Sequence, residues 1–174
     1  MEKLLIDMDD VISDTLNYTI TCLEKSYNVS INKNLLVGKR LEDIVSVEVT
    51  EVIKTMVQQK NFFLEIPVKQ NSQKVIKELK NKYDIYIVSA ALLYPNSLYE
   101  KYIWLRENFN FIEKEKIVFC GDKRIIQGDI LIDDNDFNLE FFSGRKIIYS
   151  SPHNLLDDRF ERVKNWDEIQ KILY

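Results

Sequence analysis

The architecture of this chain follows most directly from its first sixteen residues, Met1-Glu-Lys-Leu-Leu-Ile-Asp-Met-Asp-Asp-Val-Ile-Ser-Asp-Thr-Leu16. Its short apolar run, Leu4-Leu-Ile, ends abruptly at Asp7, Asp9 and Asp10. An apolar run of this length between polar residues predicts a buried strand. Open α/β sheets bind their ligands at the carboxyl ends of the strands, so these carboxylates would lie where a ligand binds.

The acidic residues after this strand admit two interpretations. Side chains alternate along an extended backbone, which places Asp7 and Asp9 on one side and Met8 on the other. Two carboxylates held so close repel each other, and a bound Mg²⁺ would offset the repulsion because hard cations take oxygen ligands. The alternative is an Asp-rich turn in solvent, since Asp is a common turn residue. The residues that follow along the chain favour the metal site.

The length and the composition of the chain limit its class. A chain of 174 residues suits one domain, with at most a small insertion. Hydrophobic residues make up 45% and charged residues 30%, which is typical of a globular protein. The 24 basic and 28 acidic side chains give a formal net charge of −4. This charge argues against binding to a nucleic-acid polymer, which needs a basic face, but not against a single nucleotide as ligand.

Several common functional motifs are missing from the sequence. Cys22 and Cys120 form no CxxC pair, which argues against a zinc or redox motif and predicts two buried cysteines. GxxxxGK[ST] and GxGxxG are also missing. His153 is the single histidine, and we interpret it as a loop or packing residue. The sequence shows no signal peptide and no apolar stretch of membrane-spanning length, so we expect a cytoplasmic protein without membrane contact.

The alternation of strand and helix patterns predicts an α/β fold with a five-stranded parallel sheet and helices on both faces. The gap between the first and second strands is too long for a single crossover helix. We therefore predict a core domain of residues 1–14 and 67–174, and a small helical cap of residues 15–66. The later strands are predicted at 84–88, 116–120, 128–132 and 145–149, and the helices at 14–27, 41–60, 72–83, 98–109 and 166–173.

The first four predicted strands end in polar residues that would meet at one edge of the sheet. The residues are Asp7, Asp9, Ser89, Lys123, Asp133 and Asp134. This set suits phosphoryl transfer, because one carboxylate can attack phosphorus to form an aspartyl phosphate. A second carboxylate can protonate the leaving oxygen and then deprotonate water. Lysine, serine and Mg²⁺ would neutralise the phosphate charge.

Taken in order, these residues resemble the four motifs of the haloacid dehalogenase (HAD) superfamily. Ile6-Asp-Met-Asp-Asp-Val11 is similar to its first motif, hhhDxDx[TV]. Ser89 is similar to the second motif, Lys123 to the third and Leu131-Ile-Asp-Asp134 to the acidic fourth. The resemblance implies a Rossmann-like fold.

A closer resemblance is to the 5′(3′)-deoxyribonucleotidases. That family carries D-M-D-G-V-x-x-D, N/G-F-F-x-x-x-P, E-K-Y-x-W and D-K-x-x-x-x-x-D-x-L-I-D-D segments. The similar segments in this chain are Asp7 to Asp14, Phe62-Phe63, Glu100-Lys-Tyr-Ile-Trp104 and Asp122-Lys123 through Asp129-Ile-Leu-Ile-Asp-Asp134, with His153-Asn154 and Asn165-Trp166 after them. The resemblance covers most of the chain and is weakest over residues 18–60.

This resemblance implies a phosphatase that hydrolyses (deoxy)ribonucleoside monophosphates to nucleoside and phosphate through an aspartyl phosphate. It makes Asp7 the nucleophile and Asp9 the general acid/base. Mg²⁺ would bind the Asp7 carboxylate, the backbone carbonyl of Asp9 and Asp134, with Asp133 just behind them. The remaining implied site residues are Ser89, Ala90 and Lys123 around the phosphate, and Thr15, Phe62 and Phe63 around the nucleoside.

Two departures from the family pattern bear on the substrate. Asp10 stands where the family has Gly, and Ser89-Ala90 stands where it has Thr-Ser. A phosphatase for another small phosphoester, such as a sugar phosphate, shares every implied catalytic residue and stays an alternative. A catalytically silent binding protein is a third interpretation, and core packing is an alternative role for Phe62-Phe63. We expect a small phosphate ester as the partner of a monomer or homodimer.

Overall fold

The structure is a computed structural model that describes all 174 residues except the side chain of Leu93. In the described chain, six parallel strands form one sheet in the order β3-β2-β1-β4-β5-β6. The strands are β1 Glu2–Asp7, β2 Tyr83–Ser89, β3 Ile117–Phe119, β4 Ile130–Asp133, β5 Arg145–Tyr149 and β6 Glu161–Val163. The predicted parallel sheet is confirmed, but the predicted number of five strands is wrong. The additional strand, β6, has only three residues and begins Glu-Arg, so it presents no apolar run.

The first strand occupies the middle of the sheet. Leu4 of β1 pairs with Ile85 of β2 on one side and with Ile130 of β4 on the other. Both neighbours run parallel to β1, so their carboxyl ends lie at the same edge. Asp7, the last residue of β1, therefore sits at the centre of the edge to which the other strands deliver their polar residues.

Helices cover both faces of the sheet, as predicted. Leu4 and Ile6 of β1 pack on one face with residues of α3 (Ser72–Leu79), α4 (Ser97–Asn108) and α6 (Trp166–Leu173). Leu5 packs on the opposite face with Leu139 of α5 (Asp136–Glu140). This division follows from the alternation of side chains along a strand. The helices are α1 Thr15–Ser26, α2 Val47–Met56, α3 Ser72–Leu79, α4 Ser97–Asn108, α5 Asp136–Glu140 and α6 Trp166–Leu173.

The continuous helix predicted over 41–60 is wrong. Residues Leu41–Asp43 form a single 3₁₀ turn, and α2 begins only at Val47. Ser46 causes this start, because its hydroxyl accepts a hydrogen bond from the backbone N–H of Val49 at 3.4 Å. A serine at this position satisfies one of the unpaired N–H groups of the first helical turn.

Residues from α1 up to the start of α3 form a second apolar cluster apart from the sheet, which includes Ile20, Leu23 and Phe63. The chain enters and leaves this region side by side. The N–H of Asp14 donates to the carbonyl of Pro67 at 2.8 Å, and Ser13 and Val68 form a β-bridge. This arrangement suits an inserted unit, although the division at residues 14/15 and 66/67 stays a prediction.

The two cysteines differ in burial. Cys120 is buried, as predicted, but Cys22 is partly exposed, so the prediction of two buried cysteines is wrong for Cys22. Cys22 lies at the margin of the second apolar cluster, on a face of α1 that the cluster covers only in part. In the described part of the chain, every helix is too short or too polar to cross a membrane.

Candidate active site

Asp7 lies buried at the end of β1 and is paired with a buried lysine. The Asp7 carboxylate accepts a hydrogen bond from the ammonium of Lys123. The same ammonium donates to Oδ2 of Asp133 at 2.7 Å. One lysine thus links carboxylates from the two central strands, β1 and β4.

Lys123 is positioned by the turn that follows β3. Asp122 caps this turn, because its carboxylate accepts the N–H of Arg124 at 2.9 Å and pairs with the Arg124 side chain. Lys123 is therefore free to point inward. Burial alone lowers the pKa of Lys123, but the ion pairs with Asp133 and Asp7 outweigh it and raise the pKa above its usual value. Lys123 is thus a fixed positive charge in the site.

Asp133 is the last residue of β4, and Asp134 comes directly after it. Asp133 is fully buried and accepts hydrogen bonds from the N–H of Asn135 at 2.9 Å and from the side chain of Asn138 at 3.1 Å. The backbone carbonyl of Asp134 accepts the side-chain amide of Asn154 at 2.7 Å. These bonds fix the turn after β4, so that the Asp134 side chain is held in the site.

The three carboxylates of Asp7, Asp133 and Asp134 form a compact group of oxygen atoms. One oxygen from each lies within 4.8 Å of the others. Burial and the neighbouring carboxylates raise the pKa of Asp7 to about 7, although Lys123 acts against this. Burial and repulsion from Asp10 and Asp7 also raise the pKa of Asp134 well above its usual value. A hard divalent cation fits this donor set, since it would offset the repulsion.

Both carboxylate oxygens of Asp9 are engaged. Oδ2 lies 2.5 Å from Nζ of Lys101 on α4, and Oδ1 accepts the hydroxyl of Thr15 at 3.1 Å. Burial raises the pKa of Asp9, but Lys101 and Thr15 outweigh it, so the pKa is lowered overall. Ser89, at the end of β2, is fully buried, and its hydroxyl lies 3.5 Å from the Lys101 ammonium.

Most of these groups, though not Ser89, line one cavity of about 610 Å³. Its acidic end holds Asp7, Asp9 and Asp134, and Ala90 and Lys123 line the wall beside them. The other sequence-predicted residues that line it are Thr15, which bonds Asp9, and Phe62 and Phe63. Phe62 and Phe63 are also buried in the second apolar cluster, where their rings meet edge to face at a centroid distance of 5.2 Å. They therefore pack in a core and line the cavity at once.

Asp10 and Asp14 both use their side chains to fix the segment between β1 and α1. Asp10 adopts a positive φ of 57°, which non-glycine residues rarely do. Its carboxylate accepts the N–H of Leu16 in the first turn of α1 at 2.9 Å. Asp14 pairs with Lys69 at 2.5 Å. The two carboxylates thus hold the N-terminal end of α1.

Sequence reasoning missed Lys101 and Asn138 and gave His153 no part in the site. Lys101 belongs to the Glu100-Lys-Tyr-Ile-Trp104 segment, which carries the family resemblance but does not mark any one of its residues as part of the site. A lysine in a helix is expected to be exposed to solvent, yet the Lys101 side chain is only 4% exposed. Nε2 of His153 lies 3.0 Å from the carbonyl of Asp134, so the histidine helps to hold that turn.

Comparisons with known proteins give the family. A family model described as "5' nucleotidase, deoxy (Pyrimidine), cytosolic type C protein" matches residues 2–174. A putative 5'(3')-deoxyribonucleotidase of Staphylococcus epidermidis is 37% identical over 169 residues, which cover 97% of this chain and 94% of that protein. The 5'(3')-deoxyribonucleotidase of Bacillus subtilis is 37% identical over 179 residues, which cover 99% of each.

Solved structures show the same fold. The haloacid dehalogenase-like hydrolase SP0104 of Streptococcus pneumoniae superposes with a TM-score of 0.66 at 13% identity, covering 100% of this chain and 99% of that one. The magnesium-bound putative HAD-hydrolase YfnB of Bacillus subtilis superposes with a TM-score of 0.61 at 16% identity, covering 99% and 98%. The expected superfamily fold is therefore confirmed, and the chain belongs to the family of 5′(3′)-deoxyribonucleotidases.

Proposed function

We propose that this phosphoric monoester hydrolase is an Mg²⁺-dependent phosphatase for deoxyribonucleoside monophosphates and their ribose counterparts, acting through an aspartyl phosphate. The observation that carries the proposal is the position of Asp7 and Asp9, which face one cavity lined both by acidic groups and by aromatic rings. The names of the relatives support a deoxyribonucleotide as substrate, and the words "cytosolic type" in the family description support a cytoplasmic location.

In the first step, an Asp7 carboxylate oxygen attacks the phosphorus of the substrate. The bond between phosphorus and the ester oxygen breaks, and its electron pair goes to that oxygen. Asp9 is ionised in the free enzyme, because Lys101 and Thr15 lower its pKa, so it has to take up a proton before this step. It then gives that proton to the ester oxygen, and the nucleoside leaves as a neutral alcohol. The products of this step are a nucleoside and phosphorylated Asp7.

In the second step, water attacks the phosphorus of the aspartyl phosphate. Asp9, now ionised, takes a proton from the water, and the bond between phosphorus and the Asp7 oxygen breaks. Inorganic phosphate leaves, and Asp9 is again protonated. Thr15 bonds one Asp9 oxygen and Lys101 the other, which holds the carboxylate in place for both proton transfers.

The phosphate charge needs compensation in a site with several carboxylates. Lys123 supplies it from one side, with Ala90 also in the cavity lining and the buried Ser89 hydroxyl beside Lys101. Asp7, the backbone carbonyl of Asp9 and Asp134 would hold Mg²⁺, and Asp133 would support them from behind, since its oxygens already bind Lys123, Asn135 and Asn138. When bound, the ion neutralises charge on the phosphate oxygens.

The nucleoside would bind in the part of the cavity lined by Phe62 and Phe63, and by Thr15, which also bonds Asp9. This assignment depends on residues 15–66 acting as a small cap over the core of residues 1–14 and 67–174, which is part of the proposal. A sugar phosphatase would use the same acidic end. The aromatic rings in the cavity favour a substrate that carries a base.

A substrate panel tests the proposal. Phosphate release is measured from dUMP, dTMP, their ribose counterparts, deoxynucleoside 3′-monophosphates and 2-deoxyribose 5-phosphate, each with and without Mg²⁺. We expect release from nucleotides with Mg²⁺ and none from Asp7→Asn, while Asp84→Asn, at the opposite end of the sheet, stays active. Faster release from the sugar phosphate than from every nucleotide would contradict the proposed substrate, and release from none of them would contradict the activity.

A further inference from the structure

Lys101 makes three contacts that join different parts of the site. Its ammonium lies 2.5 Å from Oδ2 of Asp9, 3.5 Å from the hydroxyl of Ser89 and 4.8 Å from the centre of the Phe63 ring. The last distance is within the range of a cation–π contact. Lys101 therefore touches both the Asp9 carboxylate and an aromatic ring that lines the same cavity.

The neighbours of Lys101 on α4 anchor the aromatic segment to the same helix. The Glu100 carboxylate accepts the N–H of Asn61 at 2.6 Å and that of Phe63 at 3.1 Å. The indole N–H of Trp104 donates to the carbonyl of Ile66 at 2.7 Å. One face of α4 thus fixes the backbone of residues 61–66, and with it the position of the Phe63 ring above Lys101.

Stability alone does not account for a lysine here. A buried ion pair is usually no more stabilising than a well-packed apolar residue of the same volume, because both charges lose their hydration. The Lys101 side chain is only 4% exposed, so it bears most of this cost. What the charge adds is a defined position for the groups around it.

We propose that Lys101 is a positioning residue that couples the Phe63 ring to the Asp9 carboxylate, so that the end of the cavity that binds the nucleoside also sets the group that moves the proton. The inference rests on the proposed function, because it assigns Lys101 to that reaction. It predicts that a change at Phe63 alters catalysis even on a substrate without a base. A residue that only packs against the base would not do this.

The first test replaces Lys101. In Lys101→Met, kcat should fall about 10²-fold on dUMP and equally on 2-deoxyribose 5-phosphate, since both need Asp9. The KM for the sugar phosphate should change less than threefold. Lys101→Arg keeps a positive charge and should recover at least a tenth of the wild-type kcat. A kcat of Lys101→Met within twofold of wild type on the sugar phosphate would overturn the inference.

The second test is a double-mutant cycle between Phe63 and Lys101, assayed on 2-deoxyribose 5-phosphate. Phe63→Leu should lower kcat about fivefold in the wild-type background, the fold-change expected for loss of a cation–π contact. In the Lys101→Met background it should cause no further loss. Equal fold-losses in the two backgrounds would show that the residues act independently and would overturn the coupling.

Two control variants separate positioning from general damage to the fold. Lys116→Met removes a partly buried lysine that is not part of the cavity lining. The Lys116 ammonium pairs with Asp84 at a distance of 2.6 Å. Leu23→Ala removes a buried side chain from the apolar cluster that contains Phe63. Both should keep the wild-type kcat on the sugar phosphate. If the wild-type enzyme releases no phosphate, the proposed function itself fails; if it is active without the coupling, only this inference fails.

Discussion

The Asp10 carboxylate accepts the backbone N–H of Leu16 at 2.9 Å, so the residue that stands in place of the family glycine caps α1. A glycine at this position would adopt the positive φ of 57° without strain but would offer no side-chain oxygen. Compared with glycine, Asp10 is strained at this φ but adds a hydrogen bond to the first turn of α1. The substitution is therefore local in its structural effect.

Variants of Asp10 should separate these two contributions. Asp10→Asn keeps an oxygen acceptor and tolerates positive φ, so its free energy of unfolding should stay within about 0.5 kcal/mol of wild type. Asp10→Ala loses the cap and strains the backbone, which should cost about 2 kcal/mol in total. Urea unfolding measures both values. Equal stability of the two variants would show that Asp10 contributes no cap.

Asp9→Asn should reveal the aspartyl phosphate. With p-nitrophenyl phosphate the leaving group needs no proton, so Asp7 should still be phosphorylated. Hydrolysis of the intermediate needs Asp9 as base and should slow about 10²-fold or more. Rapid mixing should then show a burst of one nitrophenolate per enzyme followed by slow turnover. A linear time course, with the steady-state rate reduced to the same extent, would argue against this order of steps.

Asp134→Asn should change stability in opposite directions with and without Mg²⁺. Without the ion, the variant should melt higher than wild type, because burial and neighbouring carboxylates make the Asp134 charge unfavourable. Mg²⁺ at about 100 times its Kd should stabilise the wild type by about 2.7 kcal/mol and the variant far less. Asp84→Asn serves as the control and should respond to Mg²⁺ as wild type does. A wild-type melting temperature that does not change when Mg²⁺ is added would contradict the proposed site.

The two tryptophans should contribute to stability through similar hydrogen bonds. The Trp104 indole donates to the carbonyl of Ile66 at 2.7 Å, and the Trp166 indole to that of Val11 at 2.8 Å. Each Trp→Phe change leaves a buried carbonyl without this donor and should cost about 2 kcal/mol. Tyr83→Phe removes the part-buried hydrogen bond from the Tyr83 hydroxyl to the carbonyl of Leu173, 3.2 Å long, and should cost less than about 1 kcal/mol. Thermal or urea unfolding would refute the interpretation if all three losses were equal.

Much of the fold was predictable because its strongest signals are local. The apolar run before Asp7 predicts a buried strand, and the polar residues after four runs predict their meeting at one sheet edge. In the structure, Lys123 and Asp134 lie beside Asp7, and Ser89 lies beside Lys101. Parallel pairing makes this convergence unavoidable, since every strand delivers its last residue to the same side.

The residues that escaped prediction depend on long-range contacts. Lys101 is 92 positions from its partner Asp9, and no periodic pattern marks a helical lysine that points inward. Arg162 of β6 is polar, and its guanidinium donates to the side-chain oxygen of Asn154 at 2.8 Å, so this strand forms without an apolar run. The inward-facing Lys101 and the strand β6 cannot be predicted from local sequence, because both depend on contacts with other parts of the fold.

The central place of β1 also has a kinetic consequence. The amides of Leu4 to Ile6 are bonded to strands on both sides, so exposing them to solvent requires the whole sheet to separate. Their hydrogen exchange should therefore follow global unfolding, whereas amides of α1 can exchange through local opening. The backbone that holds Asp7 would then be among the last parts of the molecule to exchange deuterium.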